Sequence, residues 1–253
     1  MAVILVTPTG CRPDQFKLCA EFMRRQTYTG EVIWIIVDDG YPRTTDNITK
    51  LFRPEWKKVK IYPVPIWQTG TNTQARNIKA GIDFIKENYQ KKDVEGIFII
   101  EDDDYYKPNY LERMTARLDG FDIAGERNTI YYNVQYRRHV TNANTVHASL
   151  FQTAFSYDAI SDFEESYTHK FIDCLFWTKP VRKNLFNEGN LAIGMKGIPG
   201  RGGIGAGHYR ALSMKPDPYL HYLKSLIGDD VKYYEKYYID HERSTNPFFN
   251  KRK

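Results

Sequence analysis

Three cysteines in 253 residues (Cys11, Cys19 and Cys174) are too few, and wrongly spaced, for a disulfide framework or a zinc ribbon. No apolar run approaches the roughly 18 residues of a membrane helix, and the N-terminus lacks the basic-then-apolar order of a signal peptide. Internal repeats and low-complexity tracts are missing as well. There is no phosphate loop ending in Gly-Lys-Ser/Thr and no glycine-rich turn after a first strand, which sets aside the common P-loop and dinucleotide-binding units. A net charge of +5 is too mild to name a polyanionic partner. These absences leave a globular chain without a membrane span, expected in the cytoplasm with reduced thiols. Aromatic content, by contrast, is high at 15%, with 19 tyrosines, a residue favoured where bases or sugar rings stack.

The most informative stretch is Ile97-Phe98-Ile99-Ile100-Glu101-Asp102-Asp103-Asp104-Tyr105-Tyr106. Its aliphatic part has the length and β-branched content of a buried strand. Four consecutive carboxylates at its end repel one another unless they are protonated or neutralised by a cation. Hard oxygen ligands packed this closely suit Mg²⁺ or Mn²⁺ beside a substrate phosphate, and open α/β sheets bind ligands at this edge. A solvated acidic turn is the plain alternative.

Strands and helices alternate through the first half. Ala2 to Thr7 reads as a buried strand closed by Pro8 and Gly10, and Asp14 to Arg25 reads as a helix with Phe16, Cys19, Ala20 and Met23 on one face. A second strand runs from Glu31 to Val37, and a shorter one from Val59 to Val64 near an edge. Thr73 to Tyr89 is the best amphipathic helix; the acidic strand follows, then a helix from Pro108 to Leu118. This order predicts a mostly parallel sheet with helices on its faces. The second half is less regular: a strand over Tyr131 to His139, a strand running into a helix over Phe151 to Ala159, a helix over Phe163 to Trp177, and a strand over Leu191 to Gly197. After Gly228 the tail is rich in tyrosine and charge.

Three features join the acids. Asp38-Asp39-Gly40 ends the second strand, where a carboxylate can accept from a base or ribose and where an Asp-Gly turn would also serve. Gly70 to Asn77 is a polar loop opening a helix; its amides favour an anion, and Arg76 can clamp a phosphate or stack on a base. Thr71 or Asn72 could equally be a simple cap. Pro199 to His208 holds five glycines around Arg201, so its backbone can approach phosphates and fold over a ligand, or form a passive linker.

In combination, Thr7-Pro8-Thr9, Val37-Asp38-Asp39-Gly40, Ala75-Arg76-Asn77 and the acidic cluster followed by Pro108 and Leu111 resemble a GT-A glycosyltransferase, closest to family 2, over roughly residues 1–115. The resemblance implies an α/β fold of the GT-A (Rossmann-like) kind, with a mostly parallel central sheet, helices on both faces and a smaller acceptor-side region. It implies a nucleotide-sugar half (1–120), an acceptor and catalytic half (121–228) and a basic, tyrosine-rich tail (229–253). A donor such as a UDP-sugar would meet Thr7, Pro8, Asp38, Asp39, Arg76, Glu101, Asp102 and Arg201. The metal, Mn²⁺ or Mg²⁺, would meet Asp103, Asp104 and His208. Register from Pro108 puts Glu101 at the first position of the family's DxD region and Asp103 at the last; Asp102-x-Asp104 stays open.

The resemblance also implies an inverting transfer with an acid near the start of a late helix as base. Asp173, alone among large apolar residues, is the candidate; Asp162, Glu164 and Glu165 look like a solvated helix start. Burial raises a carboxyl's pKa and makes it a better proton acceptor. The acceptor stays open between a hydroxymethylated pyrimidine in DNA, as in phage-type transferases, and a saccharide, lipid-linked or protein hydroxyl. Tyr131, Tyr132, Arg137, Arg138, His139 and the Lys251-Arg252-Lys253 end are what suggest DNA. A sugar-phosphate nucleotidyltransferase is the competing enzyme class, but the loop Thr7 to Arg12 is short and lacks the lysine such enzymes use. A non-catalytic binding protein would have little use for four metal-grade carboxylates.

Overall fold

The computed structural model describes residues 1–45, 53–169, 171–203 and 211–239. Its main sheet holds, from one edge to the other, β3 (Lys57–Ile61), β2 (Glu31–Asp38), β1 (Ala2–Thr9), β4 (Val94–Ile99), β9 (Thr153–Phe155), β6 (Ile123–Glu126) and β10 (Lys183–Phe186). Strands β3, β2, β1 and β4 pair in parallel, and so do β6 and β10; β9 alone runs antiparallel to its neighbours. A second sheet orders β12 (Lys215–Pro216), β8 (Arg138–Ala143), β7 (Asn128–Asn133), β11 (Ala192–Lys196) and β5 (Tyr105–Tyr106).

Both faces of the main sheet are covered, which is why its central strands are apolar without alternation. Successive β1 side chains feed opposite cores. Val3 and Leu5 pack with Phe16, Phe22 and Met23 of α1 (Pro13–Arg24) and with Tyr110, Leu111 and Met114 of α3 (Tyr110–Leu118). Ile4 and Val6 pack with Ile78, Ile82 and Ile85 of α2 (Gln74–Asn88), and with Phe163 of α4 (Ile160–Glu165) and Phe176 of α5 (Ile172–Phe176). Close approach of α2 depends on Gly81, where a Cβ would stand 2.6 Å from Val6 Cγ1. The α/β architecture and the helices on both faces match the expectation from sequence. No helix among the described residues is long and apolar enough to cross a membrane.

Two segments depart from expectation for local reasons. Residues 131–139 form a hairpin rather than one strand: Asn133 Oδ1 accepts the Gln135 and Tyr136 N–H groups at 3.1 Å, turning the chain between β7 and β8. Residues 163–177 break into α4, a short 3-10 turn and α5. The Phe171 N–H donates to His169 Nδ1 at 3.1 Å, where a continuous helix would use a carbonyl. The last α-helix among the described residues, α6 (His221–Ile227), is capped by Asp217, whose carboxylate accepts the Tyr222 and Leu223 N–H groups at 3.0 Å.

Candidate active site

Strands β1, β2 and β4 are parallel, so Pro8-Thr9, Asp38-Asp39 and the Glu101–Asp104 turn arrive at one edge of the sheet. A cleft of about 990 Å³ opens there, lined among others by Pro8, Glu101, Asp102, Asp103, Asp173 and Arg201. Five residues expected at the donor or metal (Thr7, Asp38, Asp39, Arg76 and Asp104) are not part of that lining. His208 lies outside the described residues.

Three of the four acids are bound by two cations that sequence reading passed over. Arg12, from the loop after β1, places Nε 3.1 Å from Asp102 Oδ1 and Nη2 2.9 Å from Asp103 Oδ2. Lys196, the last residue of β11, lies 2.9 Å from Asp104 Oδ1 and 3.4 Å from Asp103 Oδ2, with only 6% of its side chain exposed. The β11 backbone joins in, the Met195 N–H donating to Asp104 Oδ1 at 2.9 Å. Thr9 Oγ1 donates to Asp102 Oδ2 at 2.6 Å, and Gln74 Nε2 to Glu101 Oε1 at 2.9 Å.

Two cations do not balance four carboxylates, and the acids hold protons more tightly as a result. Burial pushes Glu101 up to about 7, with Lys196 pulling it down and Asp103 and Asp173 pushing it further. Burial raises Asp102 to about 6 against Arg12, and raises Asp104 against Lys196. Burial by itself would lower the Lys196 ammonium; Asp103, Asp104 and Glu101 more than reverse that and hold it above its ordinary value. Asp104 Oδ2 is buried with no hydrogen-bond partner among the described residues. Ligand oxygens of Glu101, Asp103 and Asp104 lie within 4.8 Å of one another. An all-oxygen set with excess negative charge and an orphaned carboxylate oxygen fits a hard divalent cation.

A second charged group sits at the end of β2. Asp39 is fully buried and accepts Arg76 Nη2 at 2.8 Å, Arg201 Nη1 at 2.7 Å and a short bond from Thr73 Oγ1. Arg201 also donates to Thr73 and stacks 4.7 Å over the Trp67 ring, while the backbone N–H of Trp67 donates to the Asp39 carbonyl at 2.8 Å. The start of the glycine-rich segment is therefore folded over the sheet edge; Gln15 Nε2 fixes it further through the Pro199 carbonyl at 2.9 Å. Gly10 is required beneath it: at φ +147, a Cβ there would meet Asp39 Oδ1 at 2.1 Å. Asp38 instead closes a turn, accepting from Gly40 N at 3.0 Å and from Thr45 N and Oγ1 at 3.1 Å. Thr7 Oγ1 accepts from Trp34 Nε1 at 2.9 Å inside the core. Asn72 Oδ1 accepts the Gln74 N–H at 3.1 Å at the entrance to α2.

Asp173 begins α5 and faces the cleft, and burial holds its carboxyl above the ordinary range. Its rivals are elsewhere: Glu164 pairs with Lys86 at 2.9 Å, Glu165 pairs with Lys179, and neither they nor Asp162 line the cleft. Tyr131, Asn142, Asn144 and His147 bring the second sheet and its following loop to the same cleft.

A parallel sheet with ligand groups at its carboxyl edge, an acidic turn after β4 and a second small sheet beside it define a GT-A type of α/β fold. Neither a family model nor a curated relative matches the sequence. Solved structures do match. Residues 1–349 of S. aureus TarS in complex with UDP superpose with a TM-score of 0.55 at 15% identity, over 77% of this chain and 60% of that one. The same segment in complex with UDP-GlcNAc gives 0.54 at 16% identity, over 79% and 60%. A longer S. aureus TarS structure gives 0.53 at 14% identity, over 78% and 37%. The chain thus spans about 60% or less of the length of these structures, and the likeness at this identity is one of fold.

Proposed function

We propose that the protein is a glycosyltransferase that moves a sugar from a nucleoside diphosphate sugar to an acceptor hydroxyl, by a single displacement that inverts the anomeric carbon. One observation carries the reading: a single cleft joins an oxygen-only cation site, an Arg201–Asp39 clamp and a raised carboxyl, Asp173. Uridine is the base favoured, because the structures similar in fold were determined with UDP and UDP-GlcNAc.

Each residue has work to do in such a transfer. Asp103 and Asp104, with Glu101, would hold Mn²⁺ or Mg²⁺. The ion, when bound, supplies charge neutralisation for the diphosphate leaving group. Arg12 and Lys196 offset the charge of Asp102, Asp103 and Asp104, and both line the cleft, where they would attract the phosphates of a donor. Arg201 and Trp67 form the place for the base and ribose, and the buried Asp39, itself paired with Arg76, holds Arg201 there. Asp173 takes the proton of the acceptor hydroxyl as oxygen attacks the anomeric carbon, and the diphosphate departs on the opposite side.

A carbohydrate hydroxyl suits the acceptor side. Of the groups that line it from the second sheet and its following loop (Tyr131, Asn142, Asn144, His147 and Lys196), only Lys196 is basic, and it is already paired with Asp103 and Asp104, whereas a DNA backbone asks for several cations. Several of the residues that suggested DNA are engaged within the protein. Arg137 donates to the Pro218 carbonyl and stacks on Tyr238, Arg138 donates to the Leu212 and Met214 carbonyls, and His139 stacks on Tyr222. Tyr132 is buried with its hydroxyl on Asp217, and Lys251 to Lys253 lie outside the described residues. The test is release of UDP from UDP-sugars with Mn²⁺ across a panel of glycans and hydroxymethylated DNA. Transfer to a glycan, lost in Asp103→Ala and Asp173→Asn, is the expected result. Transfer to DNA alone would overturn the acceptor assignment, and no turnover of any nucleoside diphosphate sugar would overturn the function.

A further inference from the structure

On the wall of the cleft that carries Asp173 stands a second set of metal-grade donors with a different chemistry. The imidazole of His147, the carboxylate of Asp173 and the thiol of Cys174 offer ligand atoms that lie within 4.8 Å of one another. His147 comes from the loop between β8 and the 3-10 turn Leu150–Gln152, while Asp173 and Cys174 lie in the first turn of α5. All three are half-buried. Neither ring nitrogen of His147 forms a hydrogen bond among the described residues, although the ring lies close enough to Asp173 to act on its charge. His147 and Cys174 also line a second cavity, of about 480 Å³, so the donors stand between two open volumes, and water or a fourth ligand can reach an ion there.

We propose that His147, Asp173 and Cys174 form a binding site for one borderline-soft divalent ion of the zinc class, separate in place and in preference from the oxygen-only site at Glu101, Asp103 and Asp104. The donor sets divide the metals. Carboxylates alone select Mg²⁺ and Mn²⁺, whereas one nitrogen, one oxygen and one sulfur select Zn²⁺ or Co²⁺. Zinc bonds of about 2.0–2.3 Å require the three side chains to draw in by roughly 1 Å, a rotamer adjustment open to half-buried groups. As the metal–sulfur bond forms, the Cys174 thiol proton passes to solvent, so binding releases one proton. Three protein ligands leave the fourth position to water, as in open zinc sites.

The consequence for transfer rests on the glycosyltransferase reading: an ion on Asp173 occupies the oxygen that would accept the acceptor's proton. One cleft then responds oppositely to two metals, with Mn²⁺ supporting the reaction and Zn²⁺ arresting it at stoichiometric amounts.

Cobalt titration of the full chain tests the site without any assay of transfer. One Co²⁺ per chain should bind with a thiolate-to-cobalt absorption in the near ultraviolet and tetrahedral bands in the visible. Cys174→Ser should abolish the thiolate absorption, His147→Ala should weaken Co²⁺ at least tenfold, and Cys11→Ser should leave both intact. Far-ultraviolet circular dichroism and the melting temperature of each variant report that it is folded. Absence of a thiolate band in the wild type, or its persistence in folded Cys174→Ser, overturns the proposal. A thiolate band in a protein that turns over no donor sugar would leave the metal site standing and overturn only the transfer reading.

Discussion

Replacing Lys196 by methionine removes the cation on which the acidic turn is built while nearly preserving side-chain volume. Lys196 lies 2.9 Å from Asp104 and 3.4 Å from Asp103, and the three side chains are no more than 9% exposed. Breaking a buried pair by removing one partner typically costs about 3–5 kcal/mol. A separate limit follows from titration, because an abandoned carboxylate can escape by taking a proton. From an ordinary aspartate value of 3.8, that escape costs about 5 kcal/mol at pH 7.5 and about 2 kcal/mol at pH 5.5, at 1.36 kcal/mol per unit. The loss in Lys196→Met should therefore be about 3–5 kcal/mol at pH 7.5, or roughly 10 °C in melting temperature, and about half that or less at pH 5.5. The wild type shares the sign of this dependence. Burial raises Glu101 to about 7 and Asp102 to about 6, so between roughly pH 4 and 7 the native state binds more protons than the unfolded chain. The stabilisation these two groups contribute is fully present below their unfolded values and is lost as pH rises through that window. Urea unfolding at the two pH values, with and without Mn²⁺, is the assay. Mn²⁺ should restore much of the loss at pH 7.5, since it supplies the missing positive charge. A loss equal at both pH values, or below about 1 kcal/mol at pH 7.5, would refute the electrostatic reasoning.

Asp173→Asn should remove transfer while leaving UDP affinity within about twofold in calorimetry; unchanged turnover would end its assignment as base. The raised carboxyl of Asp173 places the acidic limb of the kcat profile above the ordinary aspartate range, and a limb at the model-compound value would contradict its burial. Arg201→Ala should weaken UDP by about 2 kcal/mol, roughly thirtyfold, with a smaller loss of stability than Lys196→Met, because Arg76 and Thr73 stay on the buried Asp39. Asp38→Ala should do the reverse, because its three hydrogen bonds close a turn and do not face the cleft; a cost of about 2–4 kcal/mol in urea, with UDP affinity unchanged, is expected once three buried donors are left unpaired.

What could be read in the sequence was whatever is written in contiguous residues. The aliphatic strands, the amphipathic α2 and the acidic turn each carry their own local pattern, and their order alone gives a parallel sheet with both faces covered. The Asp39 clamp was half legible: Asp39, Arg76 and Arg201 each stood out, but nothing local shows that Arg201, 162 residues away, closes on Asp39. Arg12 and Lys196 were missed because a lone cation carries no periodic or motif signal. Lys196 did have one clue, as a charged residue ending the aliphatic run Leu191 to Met195, the same grammar that drew attention to the acids. His147 had none, since its partners on α5 are brought to it by tertiary packing. Asp38 shows the converse, a motif position whose carboxylate is taken up by the local turn while its neighbour Asp39 meets Arg76 and Arg201. The hairpin at Asn133 and the helix break at His169 were hidden for a third reason: single side-chain hydrogen bonds to backbone amides overrode longer-range periodicity.

The central claim is that the cleft holds a nucleoside diphosphate sugar on a divalent ion at the Glu101–Asp104 turn. Calorimetric titration of the full chain with UDP, in Mn²⁺ and then in excess chelator, tests it most directly. The account predicts one UDP per chain, bound at least tenfold more tightly with Mn²⁺, and loss of that gain in Asp103→Asn. Failure of UDP and of the other nucleoside diphosphates to bind in Mn²⁺, or binding that neither the chelator nor Asp103→Asn alters, would contradict it.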